Sequence, residues 1–333
     1  GYVLLKRQKT IVAEAAEGYV EAEVTSEASF YKNIENVYGL LTVEQIEMEF
    51  GYSLIPLADE SNGGNFIDRV VMFRKQMALD MGFVIPSVRI KDSGQLNPNQ
   101  YSILLKGEEV ARGDILMDHY LALPPGGDAD DIPGIDTIDP AFHIPAKWIS
   151  EDKKIQAELA GYTLIDPTSV VITHLSEVVK EHLHELLNRQ EVNNLLETLK
   201  KTNASIIEDT IPAVITVGEL QKVLSNLLRE GIPIRDMETI VETLGDYGTQ
   251  IKDTDMLTEY VRQALKRTIS HRFSEAGQMK VLSLDDKIEN MIMSSVKKVD
   301  TGSYLALEPS AIQNIVASAT GEINKIKDLV NVP

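Results

Sequence analysis

The sequence predicts a multidomain α+β fold, and three observations carry that prediction. The chain has 333 residues, enough for two to four compact units at roughly 100–200 residues each. Residues 51–114 read as β-α-β-β, a small sheet covered by one helix. From Gln190 to His271 the apolar spacing becomes wholly helical.

The composition narrows the function classes. Apolar residues make up 43% and charged residues 25%, ordinary for a globular chain. The net charge of −19 argues against general nucleic-acid binding, which needs a basic face to displace counterions. It also disfavours lying flat on an anionic membrane. The absence of Cys removes disulfides, Cys-zinc sites, iron–sulfur clusters and Cys nucleophiles. It fits a reducing compartment. No apolar run reaches the roughly 18–20 residues of a membrane span. The start, GYVLLKRQK, reads either as the cytoplasmic exit of a transmembrane helix or as an ordinary charged terminus.

In chain order, Thr10 to Ser29 reads as an acidic linker, followed by the apolar residues Ile34, Val37, Tyr38, Leu40 and Leu41. Gly51–Leu57 is expected to be a strand. Phe66, Val70, Phe73, Met77 and Met81 fall at helical spacing and predict a helix that Gly82 ends. Val84–Ile90, Gln100–Lys106 and part of Glu108–Asp114 are expected strands.

The stretch Leu121–Trp148 then interrupts. It holds five of the thirteen prolines, a cluster of acids and the only Trp, so it is expected to be ordered but irregular. Ile132, Ile135, Ile138, Phe142, Ile144 and Trp148 recur along it, either packing beneath it or facing a partner. Ser150 is a candidate cap for a short helix closed by Gly161, and Tyr162–Ile165 is a short strand. Asp166-Pro167 opens a helix with Val171, Leu175, Val178, His182 and Leu186 on one stripe. Thr216 and Glu219 form a capping box, and Leu257, Val261, Leu265 and Ile269 mark one later helix. Lys280–Leu284 is an expected strand; Ile288–Val296 and Pro309–Leu329 are expected helices.

Little chemistry is visible. His182 and His184 stand at i and i+2, facing different sides of a helix, so they cannot readily share a metal. Asp128, Asp130 and Asp131 lack the Gly and final Glu of a calcium loop. Phosphate-binding loops, a GxSxG elbow and a nucleophile–base–orienter set are all missing. No cofactor and no metal are expected, and a binding or assembly role is favoured over catalysis. A metal-dependent hydrolase using surface acids is the alternative from a different class.

Several blocks together resemble one family. They are GYSLIP (51–56), RVVMFRKQMALDMGF (69–83), NPNQY (97–101), LALPPG (121–126), DPAF (139–142), THL (173–175), RQE (189–191) and LLREGIPIRDM (227–237). Their order and spacing are similar to the cytoplasmic part of the FHIPEP family of flagellar and virulence type III export, strongly over 45–270 and more weakly elsewhere. The resemblance implies a linker from a membrane half at 1–44, and a first α+β domain at 45–117 plus 167–186. It further implies an inserted second α+β domain at 118–166, a helical third domain at 187–271, and a small α+β fourth domain at 272–333 that looks incomplete.

Its flagellar branch implies a docking platform for export chaperones carrying late substrates, with the virulence counterpart as runner-up. Other implied partners are export-gate and export-ATPase components and further copies in a nine-membered ring, with the isolated piece a monomer. The implied location is the cytoplasmic side of a bacterial inner membrane. The implied chaperone contact maps onto Asp139, Phe142 and Thr173, with Pro125, Ile144, Ile165 and Val170 as walls of a groove between the first two domains. Phe142 is the expected anchor, and Asp139 the expected acceptor or attractor at the rim. From the residues alone, Asp139 capping a turn and Phe142 lying in the core is the competing reading. Ile34, Val37, Tyr38 and Leu40 are the implied contacts of the linker with a neighbouring subunit.

Overall fold

The computed structural model describes residues 43–59, 61, 63–125, 131–274, 276–279, 281, 283–299 and 302–327. The linker contacts Ile34, Val37, Tyr38 and Leu40 lie outside the described residues, as do Asp128 and Asp130.

The first sheet begins at β1 (Ile46–Phe50). Its IEMEF pattern alternates, burying Ile46, Met48 and Phe50 and turning Glu47 and Glu49 toward Lys91 at 2.7 and 3.1 Å. The expected strand at 51–57 is therefore misplaced. That segment is a 3-10 turn followed by α1 (Ile55–Ala58), where Pro56 occupies the first helical turn. Helix α2 (Phe66–Met81) buries the five residues its spacing predicts, and Gly82 ends it in the left-handed conformation. Strand β2 (Val88–Asp92) starts later than expected, because Pro86 has no N–H to offer a ladder.

Strands β3 (Gln100–Leu105) and β4 (Glu108–Asp114) form a hairpin. Its turn residues Lys106 and Gly107 both have positive φ, 52° and 85°, as a tight right-twisted hairpin requires. The sheet order is β2-β1-β3-β4, with β1 and β2 parallel across α2 and the other pairs antiparallel.

The proline-rich stretch is more regular than expected. It supplies part of β5 (His119–Leu123), all of β6 (Ile135–Ile138) and much of β7 (Pro145–Ser150). After α3 (Lys154–Leu159), β8 (Thr163–Ile165) completes a second sheet in the order β6-β7-β5-β8. The proline density misleads because Pro145 starts a strand and Pro140 lies between strands. Ser150 makes no capping bond to the backbone; its hydroxyl donates to Asp152 instead. One face of this sheet, through Leu121, Ala146 and Trp148, shares the main core. The other covers a smaller core of Ala122, Ile132, Ile149 and Ala157.

The chain returns through α4 (Pro167–Glu181), capped as expected by Asp166, whose carboxylate accepts from Ser169 N at 3.0 Å. The helix stops at Glu181; Leu186 belongs to the separate short α5 (Leu183–Leu186), so the expected stripe is broken at His182. Helices α6 (Arg189–Lys200), α7 (Ala204–Thr210), α8 (Val217–Arg229), α9 (Met237–Tyr247), α10 (Thr254–Ala264) and α11 (Lys266–Phe273) follow. The Thr216–Glu219 capping box is formed in both directions. The single helix expected through Leu257 and Ile269 is divided at Leu265.

These helices share the sheet's core, and two hydrogen bonds tie the helical part to the first α+β unit. Ile234 N donates to Met81 O at 2.8 Å, and Lys106 Nζ donates to Glu185 O at 2.8 Å. Beyond lie α12 (Asp286–Ser295), a hairpin of β9 (Val296–Val299) and β10 (Gly302–Leu305), and α13 (Pro309–Lys327). Val281, Ser283 and Leu284, the described members of the strand expected at 280–284, are not in a strand. Among the described residues after Leu265, no side chain is buried.

Candidate functional site

Asp139–Ile144 turns the chain from β6 into β7. Three hydrogen bonds define the turn. Asp139 N donates to Ile144 O at 2.9 Å, His143 N to Asp139 O at 2.9 Å, and Phe142 N to Asp139 Oδ2 at 2.7 Å. Pro140 fixes one backbone angle, and His143 takes a left-handed φ of 57°. The result separates two neighbouring side chains. Asp139 is 3% exposed, while Phe142 is 53% exposed.

Both sequence readings need revision here. Asp139 does cap its turn, through Oδ2, and it is mostly buried where it lines a cleft beside the turn. Phe142 is not core. It stands on the surface beside the exposed Ile144 and Ile138.

The register shows what surrounds the turn. Strand β5 pairs with β7 through Ala122↔Lys147, and with β8 through Leu123↔Thr163. Pro125, just past β5, therefore lies at the same sheet end as the Phe142 turn, and its ring packs beside Gly161. Ile165 pairs with Leu121 farther along, and packs partly buried on the main core. Val170 is 2% exposed inside that core, so its expected place on a groove wall is closed to any partner. Thr173, one turn further along α4, keeps partial exposure.

Behind the turn lies a feature the sequence reading missed. A cleft of about 380 Å³ is bounded by Val110–Arg112 of β4, by Ile138–Ala141 and His143, and by one face of α4. That face carries His174, Glu177, Val178 and Glu181, at the i, i+3, i+4, i+7 spacing of one helical stripe. Phe142 is not among its lining residues.

The buried end of the cleft is polar. Tyr101 OH and His174 Nδ1 are 2.8 Å apart. Burial, with a smaller push from His143, lowers the His174 pKa to about 4, so its ring is neutral at physiological pH. Burial, and then the nearby Asp139 and Asp114 charges, push the Tyr101 phenol well above its ordinary range. Neither group is poised for acid–base work near neutrality. The sequence signal for this pair was the THL block, where His174 stood beside Thr173 but on another face.

At the head of α4, Arg69 of α2 reaches Asp166 at 3.5 Å and donates to Ser169 Oγ. Burial opposes the Asp166 charge, but the hydrogen bonds from Ser169 and the charge of Arg69 outweigh it. The carboxyl is held below its usual range.

With this geometry in hand, the likenesses are informative. The chain is 46% identical over 305 residues to the flagellar biosynthesis protein FlhA of Bacillus subtilis, a match covering 91% of this chain and 45% of that protein. It thus spans less than half the length of that relative. A chain in the solved Chlamydia pneumoniae CdsV and CdsO complex matches with a TM-score of 0.73 at 31% identity, covering 84% of this chain and 82% of that one. The nonameric EPEC SctV-C shares the fold, with a TM-score of 0.65 at 21% identity and coverage of 84% and 83%. The FHIPEP family profile matches residues 1–333, and this chain belongs to the FHIPEP family.

Proposed function

We propose that this chain is the cytoplasmic docking platform of a flagellar type III protein export gate. It binds export chaperones loaded with late flagellar substrates and passes the substrates to a transmembrane gate, without enzymatic chemistry. The observation that carries this reading is Phe142: a large apolar side chain, 53% exposed, on a turn whose position the buried Asp139 holds. A surface aromatic set on a rigid turn is how a binding anchor is displayed. Ile144, Pro125 and Thr173 would border the contact. Ile165 and Val170 would support it from within.

The greater identity to a flagellar relative than to the Chlamydia chain favours the flagellar branch over the virulence one. The nonameric relative supports a nine-membered ring. The solved CdsV–CdsO pair supports contacts with further secretion components. Among the described residues, no helix is long and apolar enough to cross a membrane, so a span would have to lie elsewhere in such a protein.

The test is calorimetric titration with a flagellar export chaperone bound to its substrate, beside a virulence-type chaperone complex. Saturable binding of the flagellar complex is expected. Binding of the virulence complex alone, or of neither, would overturn the assignment.

A further inference from the structure

The cleft behind the Phe142 turn is walled by two unpaired strand edges. β4 is the edge of the first sheet, and β6 is the edge of the second. Their phases can be read from single bonds. Ile115 N donates to Asn99 O at 2.9 Å, so the antiparallel alternation makes Tyr101↔Gly113 a bonded pair and leaves Ser102↔Arg112 unbonded. The Arg112 N–H and C=O therefore point away from β3, toward the open edge. On the second sheet, Asp139 N donates to Ile144 O, and Pro145 has no N–H. Ile138↔Pro145 is accordingly the unbonded position, and the Ile138 N–H and C=O also face outward. Among the described residues, no backbone hydrogen bond joins these two edges.

Exposed edges are usually guarded by lysines or prolines on the outer side, or by a covering element. Here β4 carries the charged Glu109 and Arg112 and a register shift, but the apolar Val110 and Ile138, 38% and 63% exposed, also face solvent. Charge sets the preferred occupant. The Arg112 guanidinium is held by both carboxylate oxygens of Glu109, at 3.0 and 2.8 Å. The α4 side contributes Glu177 and Glu181. Among the described residues, Glu177 is paired only with Lys180, three residues along an exposed helical face, an arrangement worth little in water.

We propose that this cleft receives an extended, basic segment of a partner polypeptide by strand addition. The segment's backbone bonds the free groups of Arg112 or Ile138. An apolar side chain sits between Val110 and Ile138, and a Lys or Arg reaches Glu177 and Glu181. A docked helix cannot serve, because its own backbone groups are already satisfied internally. The volume of about 380 Å³ is suited to a short piece of chain. Phe142 lies outside the cleft, and Asp139, which lines it, bonds the Phe142 amide, so this site goes beyond the Phe142 contact.

The test begins with displayed random hexapeptides selected on the whole chain, followed by titration of individual enriched peptides. Peptides alternating apolar and basic residues are expected. Their affinity should fall at least about tenfold, or 1.4 kcal/mol, on the Glu177→Lys, Glu181→Lys double variant. It should change less than twofold on Phe142→Ala. Hydrogen exchange should show the Arg112 or Ile138 amide newly protected in the complex, a readout that charge reversal alone cannot mimic. No enriched peptide, indifference to the charge reversal, or unchanged exchange at both amides would overturn the proposal. So would sedimentation showing that a second copy of this chain occupies the edges. Failure of Phe142→Ala to affect chaperone binding would count against the docking anchor and leave this site standing.

Discussion

Asp139 and Phe142 make separable predictions because one is inside the protein and the other is not. Asp139 is 3% exposed, with Oδ2 accepting from Phe142 N at 2.7 Å. Asp139→Ala removes a hydrogen bond to an ionised acceptor, which costs about 1.5–3 kcal/mol of stability. Phe142 is 53% exposed, so about half of its surface remains for a partner. A fully buried Phe covers about 150–250 Å², which leaves roughly 100 Å² for that contact. At about 25 cal/mol per Å² this is ~2–3 kcal/mol, a loss of about 30- to 150-fold in chaperone affinity for Phe142→Ala. Its stability cost should stay well below the ~3–5 kcal/mol of a core Phe→Ala change. Urea denaturation and calorimetric titration of both variants give the two readouts. Asp139→Ala should lose stability first, and affinity only as the turn loosens. If Asp139→Ala keeps the parent's stability within about 0.5 kcal/mol yet loses binding, its carboxylate touches the partner and the positioning argument fails.

Further predictions concern the frame that holds the turn. Gly82→Ala should destabilise by more than the ~1–2 kcal/mol of a left-handed residue with a Cβ, because that carbon would lie 2.4 Å from Arg235 N; urea midpoints measure it. Asp166→Ala should cost about 0.5–2 kcal/mol as a lost N-cap, and the parent's Asp166 contribution should be intact above the ordinary carboxylate pKa and disappear as pH falls through the lowered folded value. His174 has a folded pKa of about 4, below its unfolded value near 6.5. The unfolded chain then binds the extra proton between those values, so stability should fall as pH drops from about 6.5 to 4, by up to ~1.4 kcal/mol per pH unit. His174→Gln should flatten that part of the pH–stability curve. Tyr101→Phe should cost about 1–3 kcal/mol by leaving His174 Nδ1 without its partner, measured by the same denaturation.

The parts of the fold legible in the sequence were those with local causes. Phe66, Val70, Phe73, Met77 and Met81 repeat at the helical period, and all five are buried. Asp166-Pro167 and Thr216–Glu219 are capping signals that act within three residues, and both caps form. The first strand was misread for a nonlocal reason. Gly51–Leu57 is apolar enough for a strand, but β1 is Ile46–Phe50, whose glutamates are stabilised by Lys91, more than forty positions away in sequence. Strands β6 and β7 were hidden by Pro133 and Pro140, which flank β6, and by Pro145 at the start of β7. Pro145 is harmless because it sits at the unbonded position of the ladder, and only the register reveals that.

The candidate site shows the same division more sharply. DPAF could be picked out as residues, yet the motif does not say which side chain faces the solvent. That is decided by one bond, from Phe142 N to Asp139 Oδ2, which uses the carboxylate internally and turns the ring outward. Val170 is a wall in the layout the resemblance implies, but at 2% exposure it belongs to the core. The cleft could not be read at all. Its walls are strands from two sheets and its third side a helix, meeting only through tertiary packing. Sequence spacing reports what a single element presents. A turn or cleft at the meeting of two sheets depends on register, and a shift of one residue would exchange the outward and inward groups of Ile138 and Arg112. The outward Phe142 turn and the open Ile138 edge therefore share one cause, the register of β6 against β7 fixed at its end by Asp139, while the open Arg112 edge follows from the separate register of β4 against β3.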